Sequence, residues 1–547
     1  MKTQVNLTSV FFCVFFLCYA FIRAQLSGTV SINSAQPTAG SNYQSFNALA
    51  TVINSLGLSG PLTVNVAPSS GPYTEQVQFK QIPGASATNS ILINGNNTTL
   101  AFTSTSSAAP WTLLMNGTDR MNINNLNIHA LGLNYALACI LTAGADYNIF
   151  TSCTFSLSPV ATGLSQIPFC ISSSSLNVSN GANSANYTQV LNCKMYNGYY
   201  NVVMAGLNAP PYQLGNGLYN CTLSDFYAYG LYSAFQVNSM IQYNSVERPL
   251  RNTTSSCYAL AFYSNSGLRC ENNCVQNLFN AIPSTTHTAY GVYSNGDLGL
   301  PAAVSIYSNN VVRGLKNNGT QYGICILDSP GMIYGNSVIL DDPNAGTANN
   351  CYGLYTYYTN NNDSIRIRYN KLFVTRSGTG VKYCGYYVTP TKCIINNNSY
   401  YMMSSSGTTF TAYYWASGSC AGLSQMQAAG IEQNGNLLTA NFPSQATCAV
   451  VPTPTVVTGQ ISNRNDEIGY RVQVFPNPAN DVLNFSFIQN AVHHIEVLQV
   501  DGSVLLSAIL EPGASSLPVS ELKPGVYIIR YSEGNRSGFQ RLLVSDQ

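Results

Sequence analysis

Tyr290-Gly291-Val292 is one copy of a three-residue pattern that recurs along the middle of this 547-residue chain. A small residue also stands between a tyrosine and an aliphatic residue in Tyr229-Gly230-Leu231, Tyr258-Ala259-Leu260, Tyr322-Gly323-Ile324 and Tyr352-Gly353-Leu354. Gly198 and Gly385, which also lie among tyrosines, extend the series, and successive small residues are 29 to 32 residues apart. A fixed period of this length is the signature of a repeat architecture.

A second marker follows most copies of the first and keeps nearly the same spacing. It is an asparagine, a variable residue and an aliphatic residue, as in Asn244-Ser245-Val246, Asn273-Cys274-Val275, Asn310-Val311-Val312, Asn336-Ser337-Val338 and Asn370-Lys371-Leu372. Because the two markers move along the chain together, the repeat is a structural unit.

The repeats predict short strands rather than helices. They lack apolar residues at helical spacing and instead alternate, as in Leu62, Val64 and Val66, between turns rich in Asn, Gly and Ser. A unit of about 30 residues holds three strands and three turns, whereas a propeller blade needs four strands. The sequence therefore predicts an all-β, right-handed parallel β-helix of about a dozen coils over residues 60–440, roughly 60 Å long at the usual strand spacing.

Residues 45–57 are predicted to cover the first coil. Ser45 can cap a short helix in which Phe46, Leu49, Ile53 and Leu56 share one face. Together with the strand and turn residues between Leu62 and Phe79, this segment resembles the N-terminal cap and first coil of pectate-lyase-like β-helix proteins, over residues 27–445. The resemblance implies an architecture and no particular activity.

The cysteines leave two alternatives open. Fourteen of the sixteen lie after the predicted signal peptide, and an exported chain meets oxidising conditions, so pairing of some as disulfides is the first alternative. Cys193, Cys221 and Cys274 each follow an asparagine, which would place them inside as small apolar fillers. Their spacings fit no zinc site, and the sequence predicts neither a metal nor a cofactor.

The N-terminus has the layout of a signal peptide spanning residues 1–24. Lys2 supplies the positive charge, Val10–Phe21 form the apolar run and Ala24 precedes the expected cleavage site. The run is too short to span a bilayer comfortably, so we expect removal rather than anchoring.

Three further segments are predicted: a β-helix with its helical cap at 25–448, a linker at 449–468 and a β-sandwich at 469–547. The linker contains Pro452 and Pro454 and then a polar stretch. In the last segment, Asp501-Gly502 joins two short strands as a hairpin, and Lys523-Pro524-Gly525 introduces another.

The last segment resembles the C-terminal sorting domain of type IX secretion cargo, a family found in Bacteroidetes. Three motifs occur in the family's order: Val474-Phe475-Pro476-Asn477-Pro478 with Val482-Leu483, Leu522-Lys523-Pro524-Gly525-Val526-Tyr527-Ile528, and Arg541-Leu542-Leu543-Val544. The residues that carry the resemblance as a secretion signal are Pro476, Asn477, Pro478, Leu483, Gly525, Tyr527, Leu542 and Val544. It implies the secretion translocon and sorting machinery as partners, passage through the periplasm, and display on the outer cell surface or release.

Composition narrows the function of the repetitive part. Charged residues make up 8% of the chain and the formal net charge is +1, so there is no basic field to neutralise nucleic-acid phosphates. No long apolar stretch follows the signal peptide, so we expect a protein that is not integral to the membrane.

Carboxylates are too sparse in the repeats to predict a catalytic centre. Enzymes that cleave polysaccharides on such a scaffold need acidic residues in close pairs. Only Asp297 and Asp328 have nearly equal offsets from the repeat marker on consecutive coils, and both lie in turn sequences. They are the only candidate pair.

The tyrosines offer a candidate binding site. Tyr229, Tyr258, Tyr290, Tyr322 and Tyr352 would form a column along one edge, where they either stack as part of the wall or bind sugar. The leading interpretation is a secreted or surface β-helix that is adhesin-like or glycan-binding. The alternative is a carbohydrate-active enzyme, a polysaccharide lyase or glycoside hydrolase.

Overall fold

The computed structural model describes residues 25–448 and a set of strands between residues 473 and 544. Within 25–448 the residues outside the description are 301–303, 344–345, 347, 358–364, 389–392, 402–412, 416–417, 421 and 433. The predicted signal peptide at 1–24, the linker at 449–468 and the motif residues Pro476, Asn477 and Pro478 also lie outside the described residues. The chain forms two compact units that meet in sequence between Val456 and Val457.

Two long sheets, called here sheet 1 and sheet 2, build the first unit. Sheet 2 is the smaller and has 13 strands, of which the last pair is antiparallel and the others are parallel. In chain order they are Val77–Lys80, Trp111–Asn116, Ala136–Thr142, Gln166–Ile171, Tyr200–Ala205, Tyr229–Ala234, Cys257–Tyr263, Ala289–Asn295, Gln321–Leu327, Cys351–Tyr357, Lys382–Tyr387, Tyr413–Trp415 and Gly418–Cys420.

Sheet 1 has 25 strands, because most coils contribute two strands separated by a corner. Its N-terminal strands are Leu26–Ile32, Asn42–Tyr43, Leu58–Val66, Tyr73–Thr74, Ile91–Phe102 and Met121–Ala130. The strands before the corner are Ile149–Thr151, Gln189–Leu191, Gly217–Tyr219, Met240–Gln242, Arg269–Glu271, Ser305–Ser308, Gly331–Tyr334, Ile365–Arg368 and Cys393–Asn396. Those after it are Thr154–Ser156, Lys194–Tyr196, Thr222–Ser224, Ser245–Glu247, Cys274–Gln276, Val311–Arg313, Ser337–Leu340, Lys371–Val374 and Ser399–Tyr401, and Asn436–Leu437 ends the sheet.

This architecture confirms the predicted parallel β-solenoid of about a dozen coils. Tyr258 pairs with Tyr290 and Tyr290 with Tyr322, so equal positions in the repeat are neighbours on adjacent coils. The aliphatic residues of both sheets fill one continuous core that runs from the N-terminal cap to the last coils.

The central copies of the first marker are aligned on adjacent coils, but the end copies, Gly198 and Gly385, are not aligned with them. The strand pairing aligns Tyr200 with Tyr229, so Asn201, and not Gly198, is the partner of Gly230. At the other end Tyr352 pairs with Tyr383, which makes Cys384, and not Gly385, the partner of Gly353. The inward position needs a small or slender side chain rather than glycine itself.

The asparagines of the second marker form a buried ladder inside the corner of sheet 1. Each side-chain amide donates to the Oδ1 atom of the next asparagine at 2.9–3.0 Å, from Asn244 to Asn398. The residue before each asparagine takes the left-handed backbone conformation that turns the corner, as Tyr243 does with φ of 58°. The ladder satisfies polar groups that would otherwise be buried without partners.

Thiols replace asparagines in the same column toward the N-terminus. The backbone N–H of Cys193 donates to the Cys221 sulfur at 3.4 Å, and that of Cys221 donates to Asn244 Oδ1 at 2.9 Å. Cys193 and Cys221 are therefore buried thiols, as one of the two alternatives predicts.

Cys274 lies one position beyond that column, so its predicted inward placement is wrong. Asn273 occupies the ladder position, and Cys274 pairs with Ser245 on the preceding coil. Because successive side chains of a strand face opposite sides, Cys274 faces outward, where it forms a disulfide with Cys448.

A C-terminal strap, residues 438–448, carries Cys448 back along the outside of sheet 1. Phe442 packs with Phe373 and Ile339, and the carbonyl of Ala446 accepts a hydrogen bond from Arg313 Nη1 at 3.0 Å. The strap includes the helix Phe442–Gln445 and follows the helix Leu423–Ala428.

The N-terminal cap forms as predicted. The helix Phe46–Leu56 buries Phe46, Leu49 and Ile53, and Ser45 Oγ accepts from the backbone N–H of Ala48 at 3.1 Å. Glu75 adds two further acceptors at the same helix end.

The second unit contains two small antiparallel sheets. Gln473–Phe475, Val482–Ser486 and Ser516–Pro518 form one, and His493–Leu498, Val504–Leu510, Gly525–Glu533 and Arg536–Val544 form the other. Buried residues of both sheets belong to one apolar cluster. His493–Leu498 and Val504–Leu510 pair antiparallel on either side of Asp501-Gly502, in line with the predicted hairpin.

Candidate functional site

The outer face of sheet 2 carries a column of stacked tyrosines, called here the tyrosine stack. Its members, one on each of seven consecutive coils, are Tyr200, Tyr229, Tyr258, Tyr290, Tyr322, Tyr352 and Tyr383. Neighbouring ring centroids are 4.4–5.4 Å apart, and each pair of ring planes is within 23° of parallel. The five tyrosines predicted from the sequence are thus brought together, and two more join them.

The small residue after each stack tyrosine explains the sequence pattern. Gly291 follows Tyr290 but turns toward the core, where a Cβ atom would come within 2.5 Å of both Gly323 O and Val312 Cγ1. The repeated Tyr–small–aliphatic triplet therefore places one aromatic ring outside and leaves room for the next coil inside.

A second tyrosine column lies three residues further along each strand. It contains Tyr232, Tyr293, Tyr355 and Tyr386, with Ala261 and Cys325 at the same position on the coils between the first three. These rings meet the tyrosine stack edge to face: Tyr355, for example, lies 5.4 Å from Tyr352 at 86°. Tyr386 also stacks on Tyr355, with ring centroids 5.0 Å apart and planes 6° apart. We call Tyr232 and Tyr293, which have no such parallel neighbour in their column, the platform tyrosines; both are half-buried.

No charged side chain interrupts the five central strands that carry the two columns, and the lysine of the next strand, Lys382, is buried. Tyr229–Ala234, Cys257–Tyr263, Ala289–Asn295, Gln321–Leu327 and Cys351–Tyr357 contain no Asp, Glu, Lys, Arg or His. The face therefore combines aromatic carbon with phenol hydroxyls and lacks the charges that would bind an ionic ligand.

Burial raises the pKa of several of these phenols above that of free tyrosine, which is already protonated at neutral pH. Desolvation raises the pKa of Tyr293 and that of Tyr355 to about 12 each, helped by nearby cysteine and tyrosine side chains. It also raises the pKa of Tyr229 and Tyr258. Each hydroxyl can then both donate and accept a hydrogen bond.

The same outer face is covered on the coils that precede the tyrosines. Leu137, Ile140 and Ile167 occupy the two columns there and are fully buried, in a cluster that includes Val178 from the excursion after the strand Gln166–Ile171. The exposed part of the face thus begins near Tyr200.

Asp297 and Asp328, the candidate pair from the sequence, lie on adjacent coils and are offset by one position in the strand register. Asn295 pairs with Leu327, which places Asp297 two residues beyond its strand end and Asp328 one residue beyond its own. Asp297 Oδ1 accepts from Ser266 Oγ, on the preceding coil, at 3.1 Å and from the backbone of Gly299 at 2.7 Å. Asp328 takes a left-handed turn conformation, with φ of 46°.

A different pair of carboxylates is in register, and the sequence reasoning missed it. Asp146 aligns with Asp119 on the preceding coil, and the Asp146 N–H donates to Asp119 Oδ1 at 2.7 Å. Asp146 Oδ1 accepts in turn from Asn186 at 2.7 and 3.0 Å, and desolvation raises the pKa of both carboxyls. These coils precede the first copy of the tyrosine marker. The positions of Asp119 and Asp146 relative to that marker could therefore not be compared in the sequence. Their bonds to successive backbone amides indicate a structural ladder.

Glu271 is also occupied by structural contacts. Its carboxylate accepts from Arg269 at 2.8 and 2.9 Å, Gln242 at 2.7 Å and Ser308 at 2.9 Å. Four donors saturate the carboxylate, so it has little capacity left for proton transfer.

The described motif residues of the second unit lie in and beside its core. Leu483, Tyr527, Leu542 and Val544 are buried in one cluster, and the strand pairing sets Tyr527 against Leu542 and Gly525 against Val544. Residues 473–545 match the family model described as a secretion system C-terminal sorting domain. This segment is a type IX sorting domain. The match confirms the resemblance found in the sequence, and such a domain implies export and a cell-surface or secreted location.

Three solved structures similar to the chain have low TM-scores. A double mutant of the periplasmic alginate epimerase AlgG has a TM-score of 0.35 at 11% identity, covering 69% of this chain and 77% of that one. The Dettilon tailspike protein gp208 has 0.33 at 12% identity, with 93% and 77% covered. Tailspike protein gp49 of Acinetobacter baumannii bacteriophage Fri1, a capsular polysaccharide depolymerase, has 0.30 at 10% identity, with 96% and 79% covered. No curated protein matches the chain.

Within the described part of the chain, no helix is long and apolar enough to cross a bilayer. The same residues contain no group of three or more His, Cys, Asp or Glu placed to hold a metal ion.

Proposed function

We propose that this chain is an exported surface protein that binds a glycan through the tyrosine-bearing outer face of sheet 2. The observation that carries the proposal is the double column of tyrosines, which runs over five coils without a charged residue on the strands between Tyr229 and Tyr357. Sugars have apolar C–H faces and a rim of hydroxyls, and tyrosine offers an aromatic surface with a polar tip to match both.

The location implied by the sorting domain fits this role. A sorting domain at 473–545 sends its cargo to the cell surface or the medium, where polysaccharides are abundant polymers. We propose that residues 1–24 act as the signal peptide that starts this route through the periplasm. An adhesin-like role would follow if the bound glycan belongs to another cell.

A polysaccharide-binding screen tests the proposal directly. The purified full chain is incubated with a panel of plant and algal polysaccharides, and both retention on the polymer and release of new reducing ends are measured. We expect retention without cleavage. Absence of retention on every polymer would overturn the proposal.

The same screen separates binding from catalysis. New reducing ends or unsaturated products would favour the alternative, a polysaccharide lyase or glycoside hydrolase. Asp297→Asn, Asp328→Asn, Asp119→Asn and Asp146→Asn would then identify which carboxylates matter, because each substitution removes the charge and keeps the side-chain shape.

A further inference from the structure

The platform tyrosines differ from the tyrosine stack in what their rings offer to a ligand. Stack rings lie parallel at 4.4–5.4 Å along the row of coils, so both faces of each interior ring are covered by its neighbours. A sugar can reach only their edges and hydroxyls. The platform rings stand at 66–88° to the stack rings they touch, so their planes run along the solenoid axis instead of across it.

The burial of small outward residues shows how the platform rings lie. Val203 and Ala261 occupy the second column on the coils before Tyr232 and Tyr293, and both are 0% exposed. Each platform ring also leans toward the preceding coil: Tyr293 lies 5.3 Å from Tyr258 and 5.2 Å from Tyr290. Each platform ring covers the small residue on the preceding coil, and its plane runs along the solenoid axis. One face of the ring therefore lies against the sheet, and the other faces solvent.

The platform tyrosines are two coils apart. Tyr355 is not one of them, because the ring of Tyr386 on the next coil stacks on it at 5.0 Å and 6° and covers the face that would meet a ligand. Tyr232 and Tyr293 are separated by the coil of Ala261, so the two platforms are two strand spacings, or roughly 10 Å, apart. A polymer with a regular backbone can place alternate units on both platforms, whereas a single terminal sugar can use only one.

The outer face of sheet 2 also disfavours ligands that carry a charge. Because the five strands that carry these residues contain no Lys, Arg or His, a carboxylate or sulfate laid on them would lose water without gaining a counter-charge. Hydroxyl-rich sugars meet no such penalty, since the neutral phenols can exchange hydrogen bonds with them.

We infer that the ligand is an uncharged, extended polysaccharide that lies along the solenoid axis and stacks alternate sugars on Tyr232 and Tyr293. This inference rests on the proposed function and adds to it the class of polymer, its direction and the residues that bind it. The predicted binding residues of the tyrosine stack then form the supporting wall.

The test compares uncharged and anionic polymers and then substitutes platform residues in the full chain. Hydroxyethyl cellulose and carboxymethyl cellulose share one backbone and differ in charge; mannan and starch extend the neutral set, and alginate and pectin the anionic set. We expect binding to at least one neutral polymer, with affinity that changes less than twofold between low and high salt. Binding to the anionic set alone would overturn the inference and leave glycan binding standing, whereas binding to none would remove both.

Variants locate the site with the neutral polymer that binds. Tyr232→Ala and Tyr293→Ala should each weaken binding at least tenfold, and Tyr293→Phe should stay within threefold because it keeps the ring face. Tyr147→Ala is the matched control, since Tyr147 is 42% exposed on a turn away from this face. Unchanged affinity in both alanine variants, with circular dichroism like that of the parent, would overturn the placement of the site.

Ligand length tests the extended geometry. An eight-sugar fragment of the same polymer should bind at least tenfold more tightly than a two-sugar fragment, because only the longer one reaches from one platform to the next. Equal affinities would show that one platform suffices and would overturn the extended mode.

Discussion

The rings of Tyr258 and Tyr290 lie face to face across two neighbouring coils, with centroids 4.4 Å apart and planes 4° apart. Tyr290 has a similar contact with Tyr322 on its other side, at 4.7 Å and 2°. Each aromatic pair of this kind contributes about 1 kcal/mol beyond the burial of its surface. The tyrosine stack therefore links consecutive coils outside the backbone ladder, in addition to the apolar core inside.

Replacing a stack tyrosine should lower stability through the loss of its ring contacts. We expect Tyr290→Ala to reduce the free energy of unfolding by about 3 kcal/mol, since the two parallel pairs and the edge-to-face pair with Tyr293, at roughly 1 kcal/mol each, disappear. Tyr290→Phe keeps both stacks and is the control, with a change below about 0.5 kcal/mol. Urea denaturation followed by circular dichroism measures both, and equal loss in the two variants would contradict a stacking role.

Ionisation of the buried phenols should make stability fall at high pH. Desolvation raises the pKa of Tyr293 and Tyr355 from 10.0 to about 12, so the folded state holds these protons more tightly than the unfolded state. Stability is then unaffected below pH 10 and decreases as the pH rises from 10 towards 12. Tyrosinate absorbance should rise at higher pH in the folded chain than in urea; coincident curves would contradict the prediction.

The sequence predicted the solenoid because its markers reflect geometry. The pairs of a tyrosine and a small residue from Tyr229 to Tyr352 indicate a ring outside and little or no side chain inside. The need for a small inward residue holds wherever the coils are regular. At the ends Asn201 and Cys384 fill the same inward position, so counting glycines gave the wrong register. Cys274 was misplaced by one residue for a related reason: two asparagines, Asn272 and Asn273, precede it, and only the second is in the ladder.

The sequence predicted only one of the two tyrosine columns of the candidate site. The column of Tyr229 and its successors could be predicted from spacing, but spacing does not reveal how each ring is oriented. Tyr293 and Tyr355 have the same residue type and a similar period, yet they lie nearly perpendicular to the stack rings on their own and the preceding coil. That orientation depends on side chains that are about 30 residues away in the chain.

Glu432 lies at the end of the buried asparagine ladder, where its carboxylate contributes only hydrogen-bond acceptors. Its carboxylate accepts from the backbone and side-chain amide of Asn398 at 3.0 and 2.7 Å and from Tyr400 Oη at 2.7 Å. Glu432→Gln would turn an amide donor toward these donors, so we expect a loss of about 2 kcal/mol in unfolding free energy. Glu247→Gln, a half-buried position on sheet 1, is the control. Hydrogen exchange of the last coils reports the effect, and identical protection in both variants would contradict it.

The Cys274–Cys448 disulfide should fasten the C-terminal strap. It joins residues 174 apart in sequence, and a cross-link of this kind typically contributes about 2–4 kcal/mol. Cys448→Ser should lower the unfolding temperature, and reducing agent should bring the parent down to the same value without further changing the variant. A variant that still responds to reducing agent would show that another disulfide is involved. Peptide mapping without reduction checks the pairing.

Removal of the sorting domain should stop export after the first membrane. Its motif residues Leu483, Tyr527 and Leu542 form the core of the second unit, so a chain ending at residue 468 loses the whole signal while keeping the solenoid. We expect the truncated chain to accumulate in the periplasm, and fractionation with surface protease treatment to detect none outside. Leu542→Asp in the full chain should have the same effect, because a charge in that core prevents the domain from folding. Retained protease resistance of the periplasmic solenoid is the control for misfolding, and surface levels equal to those of the parent would refute the assignment of the signal.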